Sequence, residues 1–107
     1  MILWIDDVRP IPNNSYVSAK SVNEAKVRIE NLEMMFKLSG GKSYYKIDII
    51  DIDHDAGDYS NDGGDYINLL NWLEETGRNY PIHIHSMNPV GIENMRRIIR
   101  RNNWREV

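Results

Sequence analysis

The sequence contains no cysteine, which excludes disulfide bonds, thiolate metal sites and cysteine nucleophiles. It has no run of about 20 apolar residues, the length that a helix needs to cross a bilayer. Its first residues also lack the basic and apolar pattern of a signal peptide. Positive charge is not in excess, because 13 Lys and Arg residues stand against 16 Asp and Glu residues. We therefore expect a cytoplasmic protein without a membrane partner, and we do not expect general nucleic-acid binding.

The length and the composition suit one globular domain. A chain of 107 residues has room for one hydrophobic core, since domains typically contain roughly 100–150 residues. Hydrophobic residues make up 41% of the chain, which is typical of a folded protein rather than a disordered one. No repeat or low-complexity linker divides the sequence. We predict a single domain over residues 1–107.

Short apolar runs alternate with helical patterns along the chain. Strands are predicted for four of these runs, at residues 1–5, 16–19, 47–52 and 80–85, and a brief fifth strand is expected within 103–107. Helices are expected to open at the capping box Ser21-Val22-Asn23-Glu24, near Tyr66, and at Asn88-Pro89. The prolines and asparagines of residues 8–14 predict a loop between the first two strands. This alternation favours an α/β fold with a parallel sheet.

Polar residues follow three of the predicted strands. They are Asp6, Asp7 and Arg9 after the first strand, Asp53, His54 and Asp55 after the third, and His85, Ser86 and Asn88 after the fourth. In parallel α/β sheets, ligands bind beyond the carboxyl ends of the strands. We therefore predict that these side chains share one edge of the sheet and form the functional site.

The aspartates of this edge are candidate metal ligands, namely Asp6, Asp7, Asp53 and Asp55. A carboxylate directly after a buried strand is costly unless it is solvated, paired or bound to metal. Carboxylates in one small volume repel one another, and Mg²⁺ or Mn²⁺ would relieve the repulsion as hard cations that prefer oxygen ligands. Zinc held by His54 or His85 with Asp53 is an alternative. Each aspartate could instead cap a loop or a turn.

The segment from His85 to Gly91 is the second element of the predicted site. It runs from a strand into a helix, whose free N–H groups and dipole favour an anion. Asn88 is the expected cap of that helix. Arg9 could fork onto a phosphate, or it could pair with Asp7. A metal and a helix N-terminus on opposite sides of a site would suit phosphate ester hydrolysis.

The histidines and the arginines each allow two interpretations. His85 is a candidate for phosphate contact or proton transfer, or else a hydrogen-bonded histidine at a strand end. His83 lies further from the edge, and we interpret it as structural. A basic run near the C-terminus is either a solvated helix face or a rim that attracts a phosphorylated ligand, and it comprises Arg96, Arg97, Arg100 and Arg101.

Three motifs in order carry a resemblance to a known family: Asp6-Asp7-Val8-Arg9-Pro10-Ile11-Pro12, Asp53-His54-Asp55-Ala56-Gly57, and His85-Ser86-Met87-Asn88-Pro89-Val90-Gly91 with Asn94-Met95. With them the chain resembles the response-regulator receiver fold, and more specifically the receiver-derived cyclic-phosphate processing receiver domains. The resemblance implies a receiver-like (flavodoxin-like) three-layer sandwich with a short parallel sheet. The first helix would be replaced by a loop, and the fifth strand would be reduced.

The resemblance also implies a function, that of a metal-dependent phosphoesterase. Its partner would be a phosphate-bearing small molecule, a cyclic nucleotide or related cyclic phosphate. The resemblance assigns metal binding to Asp6, Asp7 and Asp53, and substrate contact or proton transfer to Arg9, His54, His85 and Asn88. Together with the strand-end pattern, it leads us to predict Asp53, His54 and His85 as catalytic residues. We predict Arg9, Ser86 and Asn88 as substrate-binding residues. Asp53 could act as a nucleophile, although metal ligation is the preferred assignment.

Three other functions are considered. A non-catalytic module could bind a nucleotide or a protein through the same edge. A phosphotransfer receiver is disfavoured, because signalling receivers end their fifth strand with a lysine and this chain has none after Lys46. The segment Ile50-Asp51-Ile52-Asp53 resembles the strand-end motif of haloacid-dehalogenase-type phosphatases, but the later lysine and acidic pair of those enzymes are missing.

Overall fold

The fold is a parallel sheet of four strands with three α-helices, described for all residues 1–107 by a computed structural model. The strands are β1 (Ile2–Ile5), β2 (Tyr16–Ala19), β3 (Ile49–Ile52) and β4 (Ile82–Ile84). The helices are α1 (Val22–Leu38), α2 (Ile67–Glu75) and α3 (Pro89–Arg101). The sheet order is β2-β1-β3-β4, and every pairing is parallel. The predicted α/β receiver-like fold is confirmed.

Two of the helices begin at the caps that the sequence predicts. Ser21 accepts a hydrogen bond from the backbone N–H of Glu24 at 3.0 Å and so caps α1. Asn88 accepts one from the N–H of Gly91 at 3.0 Å, with Pro89 in the first turn of α3. None of the three helices has the length and the apolar character needed to span a membrane.

All three helices pack on one face of the sheet. The hydrophobic core contains alternate strand residues, such as Leu3, Ile5 and Ile50, together with residues of α1, α2 and α3. The topology explains this arrangement, because each helical connection moves the chain in the same direction across the sheet. Right-handed crossovers in one direction place their helices on the same side. The chain therefore forms two layers, and this corrects the predicted three-layer sandwich.

The other face of the sheet carries no helix. Trp4 of β1, Asp51 of β3 and His83 of β4 lie side by side there, in register across three strands. Trp4 is buried although it is not part of the helical core, and its indole N–H donates to the carbonyl of Arg9 at 3.0 Å. The loop that follows β1 thus lies against this face.

The connection from β1 to β2 contains no helix, so the predicted loop is confirmed. The predicted fifth strand is reduced to a single parallel bridge between Ile82 and Glu106. The third strand starts at Ile49, two residues later than the sequence predicts, and a 3₁₀ turn at Ser43–Tyr45 precedes it. A second 3₁₀ turn, Gly57–Tyr59, lies within the predicted loop after β3.

Candidate functional site

Three carboxylates meet at the carboxyl edge of the sheet. Asp6 directly follows β1 and Asp53 directly follows β3, and these strands are neighbours with Ile5 paired to Ile52. Asp6, Asp7 and Asp53 each offer an oxygen atom, and these three atoms lie within 4.8 Å of one another. The topology alone brings them together, since parallel neighbours end at the same edge.

Asp6 is the buried member of this cluster, with 2% of its surface exposed. Its Oδ1 accepts hydrogen bonds from the backbone N–H groups of Val8 at 2.9 Å and Arg9 at 2.8 Å. Its Oδ2 lies 2.9 Å from Nε2 of His85. Burial by itself would raise the pKa of Asp6, but the N–H groups and His85 outweigh it and lower the pKa. Asp6 is therefore a carboxylate at neutral pH.

Asp7 and Asp53 are partly exposed and can reach a ligand from solvent. Asp53 accepts a hydrogen bond from the backbone N–H of His54 at 2.7 Å. Asp7 lies against Gly57, where an added Cβ would come within 2.2 Å of its Oδ2 and where φ is +54°. A larger residue at Gly57 would be strained and would displace this carboxylate.

The three carboxylates create a strongly negative region. They help to raise the pKa of Tyr66, whose burial contributes most to the shift and whose hydroxyl donates to the carbonyl of Lys20 at 2.7 Å. Three oxygen donors of this kind, one buried and two facing solvent, fit a hard divalent cation such as Mg²⁺ or Mn²⁺.

His85 links this cluster to the open face of the sheet. Its Nδ1 lies 2.6 Å from Oδ1 of Asp51, while its Nε2 faces Asp6. The imidazole stacks on the indole of Trp4, with ring centres 3.9 Å apart and an angle of 2° between the planes. Burial would lower the pKa of His85, but the hydrogen bonds and charges of Asp51 and Asp6 raise it. Because both nitrogens face carboxylates, the two anions favour the protonated form of this ring.

Asp51 is buried, and its carboxylate also forms a hydrogen bond with a second histidine. His83, on the exposed side, places its Nδ1 at 2.9 Å from the same oxygen that contacts His85. Burial would raise the pKa of Asp51, but hydrogen bonds with His85 and His83 lower it. The hydrogen bond of His83 agrees with its interpretation as a structural residue.

His54 lies at a second group of side chains that could hold a metal ion, next to the first. His54, Asp55 and Asp65 each offer a ligand atom within 4.8 Å of the other two, so Asp55 is grouped here and not with Asp6, Asp7 and Asp53. Nδ1 of His54 lies 2.8 Å from Oδ1 of Asp55. This contact is the main cause that lowers the pKa of Asp55. Asp65 accepts a hydrogen bond from the N–H of Ala56 at 3.0 Å, which fixes the loop.

The predicted phosphate-binding residues surround these groups. The side chain of Arg9 is exposed, forms no ion pair with Asp7, and donates to the carbonyl of His85 at 3.3 Å. The oxygen of Asn88 caps α3, while its amide nitrogen lies 3.4 Å from Asp55 and 3.5 Å from Nδ1 of His54. Ser86 accepts the N–H of Asn88 at 3.1 Å.

The basic residues of α3 form ion pairs with glutamates of the same chain. Its four arginines form ion pairs with three glutamates, in the pairs Arg96–Glu106, Arg97–Glu93, Arg100–Glu93 and Arg101–Glu74. These residues lie in the last turns of α3, whereas the site lies at its N-terminus. The arrangement is that of a solvated helix face.

Sequence reasoning missed several residues of this site. Trp4, Asp51 and Asp65 are not among the predicted site residues, and Gly57 and Gly91 appear only within the family motifs. Trp4 and Asp51 had a usable signal, since residues two apart on a strand share a face. The motifs do not explain why the two glycines matter, because that depends on which side chain packs against each of them.

In a comparison with protein families, residues 1–101 match the family described as "Cyclic-phosphate processing Receiver domain". No curated protein and no solved structure matches the chain.

Proposed function

The chain belongs to the cyclic-phosphate processing receiver domains, and on this premise we propose that it is a metal-dependent phosphoesterase. Its substrate would be a cyclic phosphate of a nucleotide or of a related small molecule. The observation that carries the proposal is the convergence of Asp6, Asp7 and Asp53 at the edge where Arg9 and His54 also lie.

Asp6, Asp7 and Asp53 would hold a Mg²⁺ or Mn²⁺ ion. When bound, the ion would stabilise the negative charge of the phosphoryl oxygens and favour deprotonation of a water molecule. Asp6 suits ligation because its charge is already fixed by two backbone N–H groups and by His85. Asp55 lies in the neighbouring group, and its proposed contribution to metal binding is therefore secondary.

His54 is the histidine that we assign to proton transfer. Its Nδ1 contacts Asp55, and its Nε2 has no protein partner and can accept or donate a proton. His85 differs, because both of its nitrogens face carboxylates. We therefore place His85 in the support of Asp6, although the sequence favours it for catalysis.

Arg9 and Asn88 would bind the phosphate, the first through its exposed guanidinium and the second through its amide N–H₂. Ser86 supports Asn88 through the N–H that it accepts. In the reaction, the oxygen of a water molecule bonds to phosphorus and one ring P–O bond breaks. The leaving oxygen takes up a proton, and the product is a linear phosphomonoester.

The proposal is tested in two stages. A thermal-shift screen crosses divalent metals with cyclic and linear nucleotides, and a ligand that raises Tm only with metal identifies a shared site. Hydrolysis of that ligand is then measured with Mg²⁺ or Mn²⁺. Asp53→Asn should abolish turnover, while Asp58→Asn, which makes the same charge change at an exposed residue without a hydrogen-bond partner, should retain it.

Two outcomes would count against an enzyme. Metal-dependent binding without turnover across a broad panel of cyclic phosphates would indicate the alternative function, a non-catalytic nucleotide- or protein-binding module. Labelling of Asp53 by acetyl phosphate would indicate a phosphotransfer receiver.

A further inference from the structure

We propose that Asp51 is a positioning residue of this site, which holds His85 and through it fixes the carboxylate of Asp6 for the cation. The inference rests on the proposed function and adds to it a residue that does not touch the metal.

The position of Asp51 is unusual for a residue that serves only the fold. It lies within β3 with 7% of its surface exposed, next to Trp4 on β1 and His83 on β4. Burying a carboxylate in a sheet is costly unless it is paired, and well-packed apolar residues often serve stability as well or better. Ile49, two residues earlier and therefore on the same face of β3, is apolar.

Asp51 and Trp4 together determine where the ring of His85 points. Asp51 accepts from Nδ1 at 2.6 Å, and the indole of Trp4 fixes the plane of the ring by stacking on it at 3.9 Å. With one nitrogen and the ring plane fixed, the second nitrogen is directed at Oδ2 of Asp6, 2.9 Å away.

His85 completes the support of Asp6 opposite the cluster. Two backbone N–H groups hold Oδ1 and His85 holds Oδ2, so the carboxylate has no freedom to rotate. Without His85 in place, Oδ2 would be a buried charged oxygen with one partner fewer, and Asp6 would turn to recover one. Outer partners of this kind typically change metal affinity by about 10–100-fold when they are removed.

The test compares a variant that changes Asp51 itself with a variant that removes one of its two histidine partners. Asp51→Asn keeps the shape but removes the charge that holds His85, and the dissociation constant for Mn²⁺ alone should rise by about 10–100-fold. His83→Gln removes the other histidine on Oδ1 of Asp51 and leaves the link to Asp6 intact, so Mn²⁺ affinity should be unchanged. Isothermal titration calorimetry measures both, with circular dichroism to show that each variant is folded.

A second measurement uses the unaltered chain and does not depend on the folding of a variant. Nitrogen-15 spectra of the histidine rings should show that Mg²⁺ shifts the Nε2 signal of His85, since its acceptor Asp6 also takes the cation. If the unaltered chain binds neither Mn²⁺ nor Mg²⁺, the proposed function fails. If it binds, and a folded Asp51→Asn binds equally well or the Nε2 signal of His85 does not move, the role of Asp51 is overturned.

Discussion

Replacing Gly91 with alanine sets two opposite effects against each other at the start of α3. Gly91 is the third residue of this helix and is buried against His54. A Cβ atom at Gly91 would lie 2.4 Å from Cγ, 2.5 Å from Cδ2 and 2.8 Å from Nδ1 of His54. These separations are shorter than carbon and nitrogen atoms tolerate, so the imidazole must move.

The magnitude of the stability change follows from the helix propensity of alanine and from the confinement of the His54 ring. Glycine to alanine within a helix ordinarily stabilises a protein by about 1 kcal/mol. Forcing an extra methyl group into a packed site costs about 1–3 kcal/mol. The His54 ring is confined, with 13% of its side chain exposed and a hydrogen bond to Asp55, so we expect the upper part of that range. The net loss should be about 1–2 kcal/mol, which lowers Tm by roughly 5–15 °C in a domain of this size.

Thermal unfolding of the metal-free protein measures this loss, with Val90→Ala as the matched control. Val90 belongs to the same turn of α3 but is 72% exposed, and its replacement should change stability by less than about 0.5 kcal/mol. The ring protons of His54 should also shift in Gly91→Ala. A rise in Tm with unchanged His54 signals would refute the reasoning, because it would show that the methyl group finds room.

Two further predictions concern regions away from the site. Glu33 accepts hydrogen bonds from Arg78 and from the hydroxyl of Tyr80. Burial would raise the pKa of Glu33, but these two partners lower it. Their stabilisation of the fold is therefore present above about pH 4.3 and is lost as the pH falls through the lower pKa of the folded state. Urea unfolding between pH 5 and pH 2 should show a smaller loss for Glu33→Gln than for the unaltered chain, and equal slopes would contradict this. Asp62 accepts hydrogen bonds from Ser21 at 2.6 Å and from Asn23 at 3.0 Å. Asp62→Ala should therefore speed amide hydrogen exchange in residues 57–64. Unchanged exchange would show that these contacts do not hold the loop.

The acidic cluster could be predicted because it depends on few assumptions. Asp6 and Asp53 each follow an apolar run, and parallel strands end at one edge whatever their order. The helix caps Ser21 and Asn88 could also be predicted, since each depends only on contacts within four residues. Local patterns and one topological rule therefore account for the elements and for part of the site.

The remaining features of the site and the fold depend on the register of the strands, the path of the loop after β3 and the direction of the crossovers, which local sequence patterns do not give. The link from Asp51 to His85 requires β3 and β4 to be neighbours with Asp51 opposite His83. Asp55 faces Asp65 and not Asp53 because the loop after β3 folds back, with Asp65 accepting the N–H of Ala56. The two-layer arrangement follows from the direction of the crossovers, which the order of elements along the chain does not state.

The loop after β1 stands in the place of a helix, and it also contacts residues of the site. Its backbone N–H groups at Val8 and Arg9 hold Asp6, and the carbonyl of Arg9 accepts the indole N–H of Trp4. A helix starting after Asp6 would also leave the first-turn N–H groups of Val8 and Arg9 free for this carboxylate, but it would use the carbonyl of Arg9 for its own hydrogen bonds. The loop leaves that carbonyl free to accept the indole N–H of Trp4, and the indole then stacks on His85. The absence of the first helix and the placement of Trp4 against His85 are therefore consequences of the same segment, which makes its conformation important to the support of Asp6.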